Sequence, residues 1–134
     1  PSSSVHRYVA ILKKSGLVSD ENKANITPYF KFRKAFFIIN KIYEVGLIDF
    51  LVEELNPAVI IIFGSVRKGE YEKESDIDLF IECSIKKDLD LRKYEKLLGH
   101  KIQLFVEFEI NKLQSNLFNN VVNGIKLYGS FKIK

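Results

Sequence analysis

The sequence predicts a mixed α/β (α+β) protein, a central mixed sheet flanked by helices, preceded by a long connecting helix and a basic front segment. Three observations carry this. Val59-Ile60-Ile61-Ile62-Phe63 is a continuous apolar run of strand length, rich in β-branched residues, which reads as a strand buried on both faces. Asp76 to Glu82 begins by alternating acidic and apolar residues, the mark of a second strand. Segments of helical periodicity lie between these and later strand-like runs, so strands and helices share one layered unit.

Composition sets the scale. A chain of 134 residues with 46% hydrophobic and 28% charged residues suits one compact domain plus a fragment. No apolar run reaches the roughly 18 to 20 residues of a membrane span, and the start carries no basic-then-apolar signal peptide. A cytoplasmic protein with no membrane partner is expected. The single cysteine, Cys83, lies in an apolar run and reads as a small hydrophobe, and one thiol allows no disulfide within the chain. The sequence has no methionine, so Pro1 reads as the start of a processed chain or of a piece of a longer one.

The net charge of +4 is unevenly spread. Residues 1–34 carry seven Lys/Arg against Asp20 and Glu21, which leaves the rest of the chain close to neutral. Contact with a polyanion is therefore expected at the front end, against the alternative of lysines on a solvated helix face.

In chain order, Ser2-Ser3-Ser4 offers helix caps, and Val5, Tyr8, Val9 and Leu12 follow at helical spacing up to Gly16. Leu17-Val18 is a short strand, Ser19 to Asn25 a polar turn, and Ile26 to Arg33, with Thr27, Tyr29 and Phe32, an extended run. Residues 34–55 read as a connecting helix, apolar nearly all round, which Gly46 divides and Asn56-Pro57 ends. Beyond the first two strands of the body, the pattern gives a helix over 88–98 closed by Gly99 and a strand over 102–108. A helix over 111–123 and a last short strand over 125–128 complete it. The predicted units are thus 1–33, 34–55 and 56–134.

The chemistry concentrates between the first two strands. Gly64-Ser65 closes the buried strand in a tight turn where backbone N–H groups and a hydroxyl can approach a phosphate, although such a pair is also an ordinary turn. Asp76 and Asp78 stand two apart on a strand, so both carboxylates leave the same face, roughly 6 to 7 Å apart. Together they suit Mg²⁺ (or Mn²⁺), a hard ion that takes a few carboxylates plus substrate phosphate oxygens. The alternative is a pair of surface acids. Against it stand Ile77, Leu79, Phe80 and Ile81, which make the strand a core one where like charges are unfavourable without a cation.

The segment Ile61 to Glu70, carrying Gly64, Ser65 and Gly69, together with Ser75-Asp76-Ile77-Asp78-Leu79 eleven residues beyond Gly64, resembles the signature of minimal nucleotidyltransferases of the DNA polymerase beta superfamily. The resemblance implies that Gly64 and Ser65 grip the triphosphate of an NTP, with Ser75 part of the same signature. It also implies that Asp76 and Asp78 are catalytic residues that hold divalent metal. Arg67 and Lys68 either add positive charge near the phosphates or are exposed loop charges. Val122 to Gly129 is similar to the close of such domains.

One position departs from the pattern. Active members carry a third carboxylate on a later strand, and the corresponding strand here, Lys101 to Glu107, aligns Gln103 with it. A neutral amide neither balances metal charge nor acts as a general base. Glu107 shares its side of the strand but lies roughly 13 Å away. Nucleotide binding with turnover and nucleotide binding without it both stay open.

Residues 2–18 resemble the recognition helix and first wing strand of winged-helix transcription regulators, with the run to Phe32 completing the wing. The resemblance implies that Ser3, Ser4, His6 and Arg7 face a DNA groove while Lys13, Lys14 and Lys23 meet phosphates. The two helices that precede a recognition helix in that fold are missing, so the winged helix is partial. Fusions of the two domains are found in prokaryotes, especially archaea.

The expected function is therefore an NTP- and metal-binding protein linked to DNA binding or transcription regulation, transferring NMP to a protein or small-molecule acceptor where it is active. The alternatives are an antitoxin-type minimal nucleotidyltransferase acting on a partner protein, and an inactive nucleotide-sensing regulator. In the connecting helix, Ile38, Ile42 and Val45 are expected to pack on the sheet. Phe36, Tyr43 and Leu47, with Phe37 at their flank, are left over and predict a homodimer.

Overall fold

The computed structural model describes residues 26–134. The DNA-facing positions Ser3, Ser4, His6, Arg7, Lys13, Lys14 and Lys23, with the front helix and first wing strand, lie outside the described residues.

The run expected to complete the wing is helical. Helix α1 spans Pro28–Glu44, and Thr27 caps it in extended conformation, its hydroxyl accepting from Phe30 N at 3.0 Å. Pro28 at the first helical position supplies a preset φ and lacks an N–H that would need a partner. These local signals, with the burial of Ala35, Ile38 and Ile42 at helical period, outweigh the strand preference of Tyr29, Phe30 and Phe32. The connecting helix is likewise two helices, since α2 runs Leu47–Leu55 after Gly46.

The body follows as β1 (Val59–Phe63), a short α3 (Gly64–Lys68), β2 (Ile77–Glu82), α4 (Arg92–Leu98), β3 (Ile102–Glu107), a 3-10 turn (Ile110–Lys112), α5 (Ser115–Val122) and β4 (Ile125–Gly129). The Gly64-Ser65 turn is thus the start of a helix. The segment expected to be helical from Asp88 winds only from Arg92, and the 111–123 helix divides into the 3-10 turn and α5.

The four strands lie in the order β3-β2-β1-β4. β1 pairs antiparallel with both β2 and β4, whereas β2 and β3 run parallel. Alternation along the strands divides the apolar residues between two faces. One face carries Ile60, Ile62, Ile77, Leu79 and Ile81 against α1, α2 and α4, with Ile42, Leu47 and Leu51 fully buried among them. The other carries Val59, Ile61, Phe63 and Phe80 against Ile110 and Val121, with Leu117 and Phe118 of α5. β1 is buried along its whole length, as its sequence requires, and Cys83 is buried with a free thiol. No helix among the described residues is long and apolar enough to cross a membrane.

Candidate active site

β1 delivers Phe63 opposite Asp78 of β2, and β2 delivers Asp78 opposite Gln103 of β3. The end of the sheet therefore sets Phe63, Asp78 and Gln103 side by side on adjacent strands, about 4.8 Å apart from strand to strand, with Gly64 next in the chain. Asp76 stands exposed just before β2, and Asp78 is half-buried.

Gly64 is held at φ +79, and a Cβ there would collide with Asp78 Oδ2. Glycine is needed on both counts. The carboxylate itself is what demands the bare backbone. Burial first, and then the neighbouring Asp76 carboxylate, hold Asp78 above the usual carboxylate range. Asp78 is thus held where its ionisation is unfavourable with Asp76 beside it, and no third acid joins them: among the described residues no group of three or more His, Cys, Asp or Glu side chains is placed to hold a metal ion. Gln103 occupies the flanking position and is exposed. Glu107 pairs with Glu82 at the far end of the strands, away from the dyad.

On α3, Ser65 is half-buried and Lys68 exposed, while Arg67 buries its Nε with no hydrogen-bond partner among the described residues. A buried donor in that state costs about 1 to 3 kcal/mol, so the two cations singled out from sequence differ in kind.

A comparison with protein-family models matches residues 46–127 to the nucleotidyltransferase domain. The chain belongs to this family. The match covers α2, the whole sheet as far as Leu127, and every residue of the dyad and its loop. Comparison with curated proteins gave no match.

In this nucleotidyltransferase domain the loop between α3 and β2 is pinned by contacts that cross the chain. Gly69 lets the loop pass directly under α1, where a Cβ would strike the Lys31 carbonyl. The hydroxyl of Tyr71 donates to Lys34 O at 2.8 Å, and the Lys34 ammonium donates back to Tyr71 O while lying 4.6 Å from the ring centroid. The Tyr71 ring meets His100 edge-on at 5.5 Å, and His100 Nδ1 sits 2.7 Å from Ser75 O. A carbonyl only accepts, so Nδ1 carries the hydrogen. Ser75 spends its hydroxyl on the turn, accepting from Glu72 N at 2.8 Å. Ser75 therefore positions Asp76 through the turn.

Lys34, Tyr71 and His100 were not legible as site residues. They stand far apart in sequence and meet only once the fold is formed. An open cavity of about 360 Å³ adjoins Asp76 on this side, lined by Lys73, Ser75, Lys96, His100 and Lys101 among others.

Proposed function

We propose that the chain binds a nucleoside triphosphate together with Mg²⁺ (or Mn²⁺) at Gly64, Ser65, Asp76 and Asp78, as the nucleotide-responsive part of a DNA-linked regulator. The register that sets neutral Gln103 beside Asp78 carries the reading. Two carboxylates and an amide fit one hard divalent ion that completes its shell with phosphate oxygens and water. When bound, such an ion supplies neutralisation of phosphate charge.

The chain's own residues do the rest. Asp76 and Asp78 orient the ion's side of the ligand, and the repulsion between them gives the apo site a reason to take up a cation. Gly64 leaves the backbone bare at the mouth of the site. Arg67, whose Nε has no partner among the described residues, suits an anionic oxygen, and Lys68 adds exposed positive charge. Gln103 accepts no proton from an attacking hydroxyl at neutral pH, so NMP transfer to a protein or small-molecule acceptor is slow and binding dominates. The basic front segment supports the link to DNA.

The test is titration calorimetry with Mg²⁺ and each NTP, in parallel with incubation of labelled NTP with and without cell extract. Binding lost in the Asp76→Asn/Asp78→Asn variant, with little label transferred, supports the reading. Unchanged affinity in that variant rejects it, and rapid label transfer makes the chain an active transferase.

A further inference from the structure

The face of α1 turned away from the sheet differs from the one the sequence suggested. Leu47 is fully buried and belongs to the body, while Tyr43, 46% exposed, is tied to the body by its hydroxyl, which donates to Leu127 O. In their place Tyr29 and Phe32 join Phe36 and Phe37, and the three phenylalanines are 61%, 52% and 54% exposed. Phe32 and Phe36 stack one turn apart, 6.0 Å between centroids. Single exposed apolar side chains are ordinary, but four large aromatics within three turns of one helix form a patch.

The polar residues on this face carry opposite charge at its two ends. Arg33 lies toward the helix N-terminus, Asn40 and Lys41 beyond the middle, and Glu44 at the last position, where Asn40 Nδ2 donates to Glu44 Oε1 at 2.6 Å. With Phe36, Phe37 and Lys41 they border a shallow depression of about 320 Å³.

We propose that α1 pairs with α1 of a second copy, antiparallel about a two-fold axis, with Arg33 of each copy beside Glu44 of the other. Arg33 and Glu44 lie about 16 Å apart along the helix, so an axis midway between them passes close to Phe36 and Phe37. Phe37 then meets its copy across the axis with Phe36 next to it, an ion pair closes each rim, and Tyr29 and Phe32 lie beyond the rims. A parallel pairing sets Arg33 against Arg33 and Glu44 against Glu44, and also aligns the two helix dipoles, so like charges select the antiparallel form. The interface is self-complementary, as two-fold symmetry requires. Helix against helix gives a contact at the small end of specific interfaces, so dissociation in the micromolar range is expected. The dimer would join two basic front segments in one particle.

The test uses the full chain in sedimentation equilibrium at tens of micromolar. The parent protein is expected to be a dimer, and Arg33→Glu or Glu44→Arg alone to raise the dissociation constant at least tenfold. Mixed one to one, the two single variants are expected to recover a dimer, because the carboxylate introduced in one meets the guanidinium introduced in the other. Phe36→Ser/Phe37→Ser is expected to be monomeric with a melting curve close to that of the parent. A monomeric parent protein overturns the proposal, whether the face is covered by residues 1–25 or by another protein. A dimer that ignores both charge changes, or variants that fail to recombine, overturns the antiparallel pairing.

Discussion

The carboxylate of Asp78 fills the space that a side chain on Gly64 would need. This contact joins the end of β1 to the second acid of the dyad, and it makes the glycine a part of the candidate site as well as the start of α3.

Gly64→Ala should therefore cost stability twice, through a Cβ at φ +79 and through displacement of Asp78. A loss of about 1 to 3 kcal/mol is expected in urea unfolding, together with weaker Mg²⁺ binding in calorimetry. Full stability with full binding would mean that the contact is not tight.

Asp78→Asn should leave the metal-free protein as stable as its parent or more so, while abolishing metal-dependent nucleotide binding. The sign follows from the raised ionisation of Asp78. Below the unfolded value both states hold the proton and nothing is lost. As pH rises from there through the folded value, the unfolded chain ionises more readily, and the parent loses stability that the variant keeps. Melting temperatures compared at about pH 3 and pH 7 without metal should show the gap opening at the higher pH. A gap that opens in the other direction contradicts the environment described for Asp78.

Gln103→Asp places a third carboxylate in register with Asp78. Metal affinity should rise roughly tenfold, a change on the scale that altered metal-site residues produce, and label transfer from NTP should increase. The apo protein should be destabilised, because three acids then crowd one site. A folded variant with neither gain shows that Gln103 does not face the bound ion.

His100→Ala removes the partner of Ser75 O and the edge contact to Tyr71. A stability loss of about 1 kcal/mol is expected in urea unfolding, with weaker metal binding because the turn before Asp76 loosens. Tyr71→Phe keeps the ring against His100 and loses only the bond to Lys34 O, so it should retain metal affinity at a similar cost in stability. Equal loss of affinity in both variants would show that the whole loop, and not His100, sets Asp76.

The sequence by itself determined the body of the fold and its family. β1 declared itself because five consecutive apolar residues have no exposed face, and the acid pair because Asp76 and Asp78 flank Ile77 where an otherwise apolar strand begins. Gln103 stood out only through the resemblance to the superfamily, and the strand register sets it beside Asp78. The start of α1 was present in the sequence too, as a Thr-Pro cap, but the aromatic residues after it suit a strand equally well by local preference. Only burial of Ala35, Ile38 and Ile42 against the sheet decides for the helix.

Tertiary structure alone decided the rest, for one physical reason: these features are contacts between residues that local periodicity does not relate. The register that sets Phe63, Asp78 and Gln103 in one row depends on how three strands pair. The contact between Tyr71 and Lys34, and the one between His100 and Ser75, depend on where α1 and the end of α4 come to rest. The side of α1 left exposed depends on which of its apolar residues the sheet has already taken.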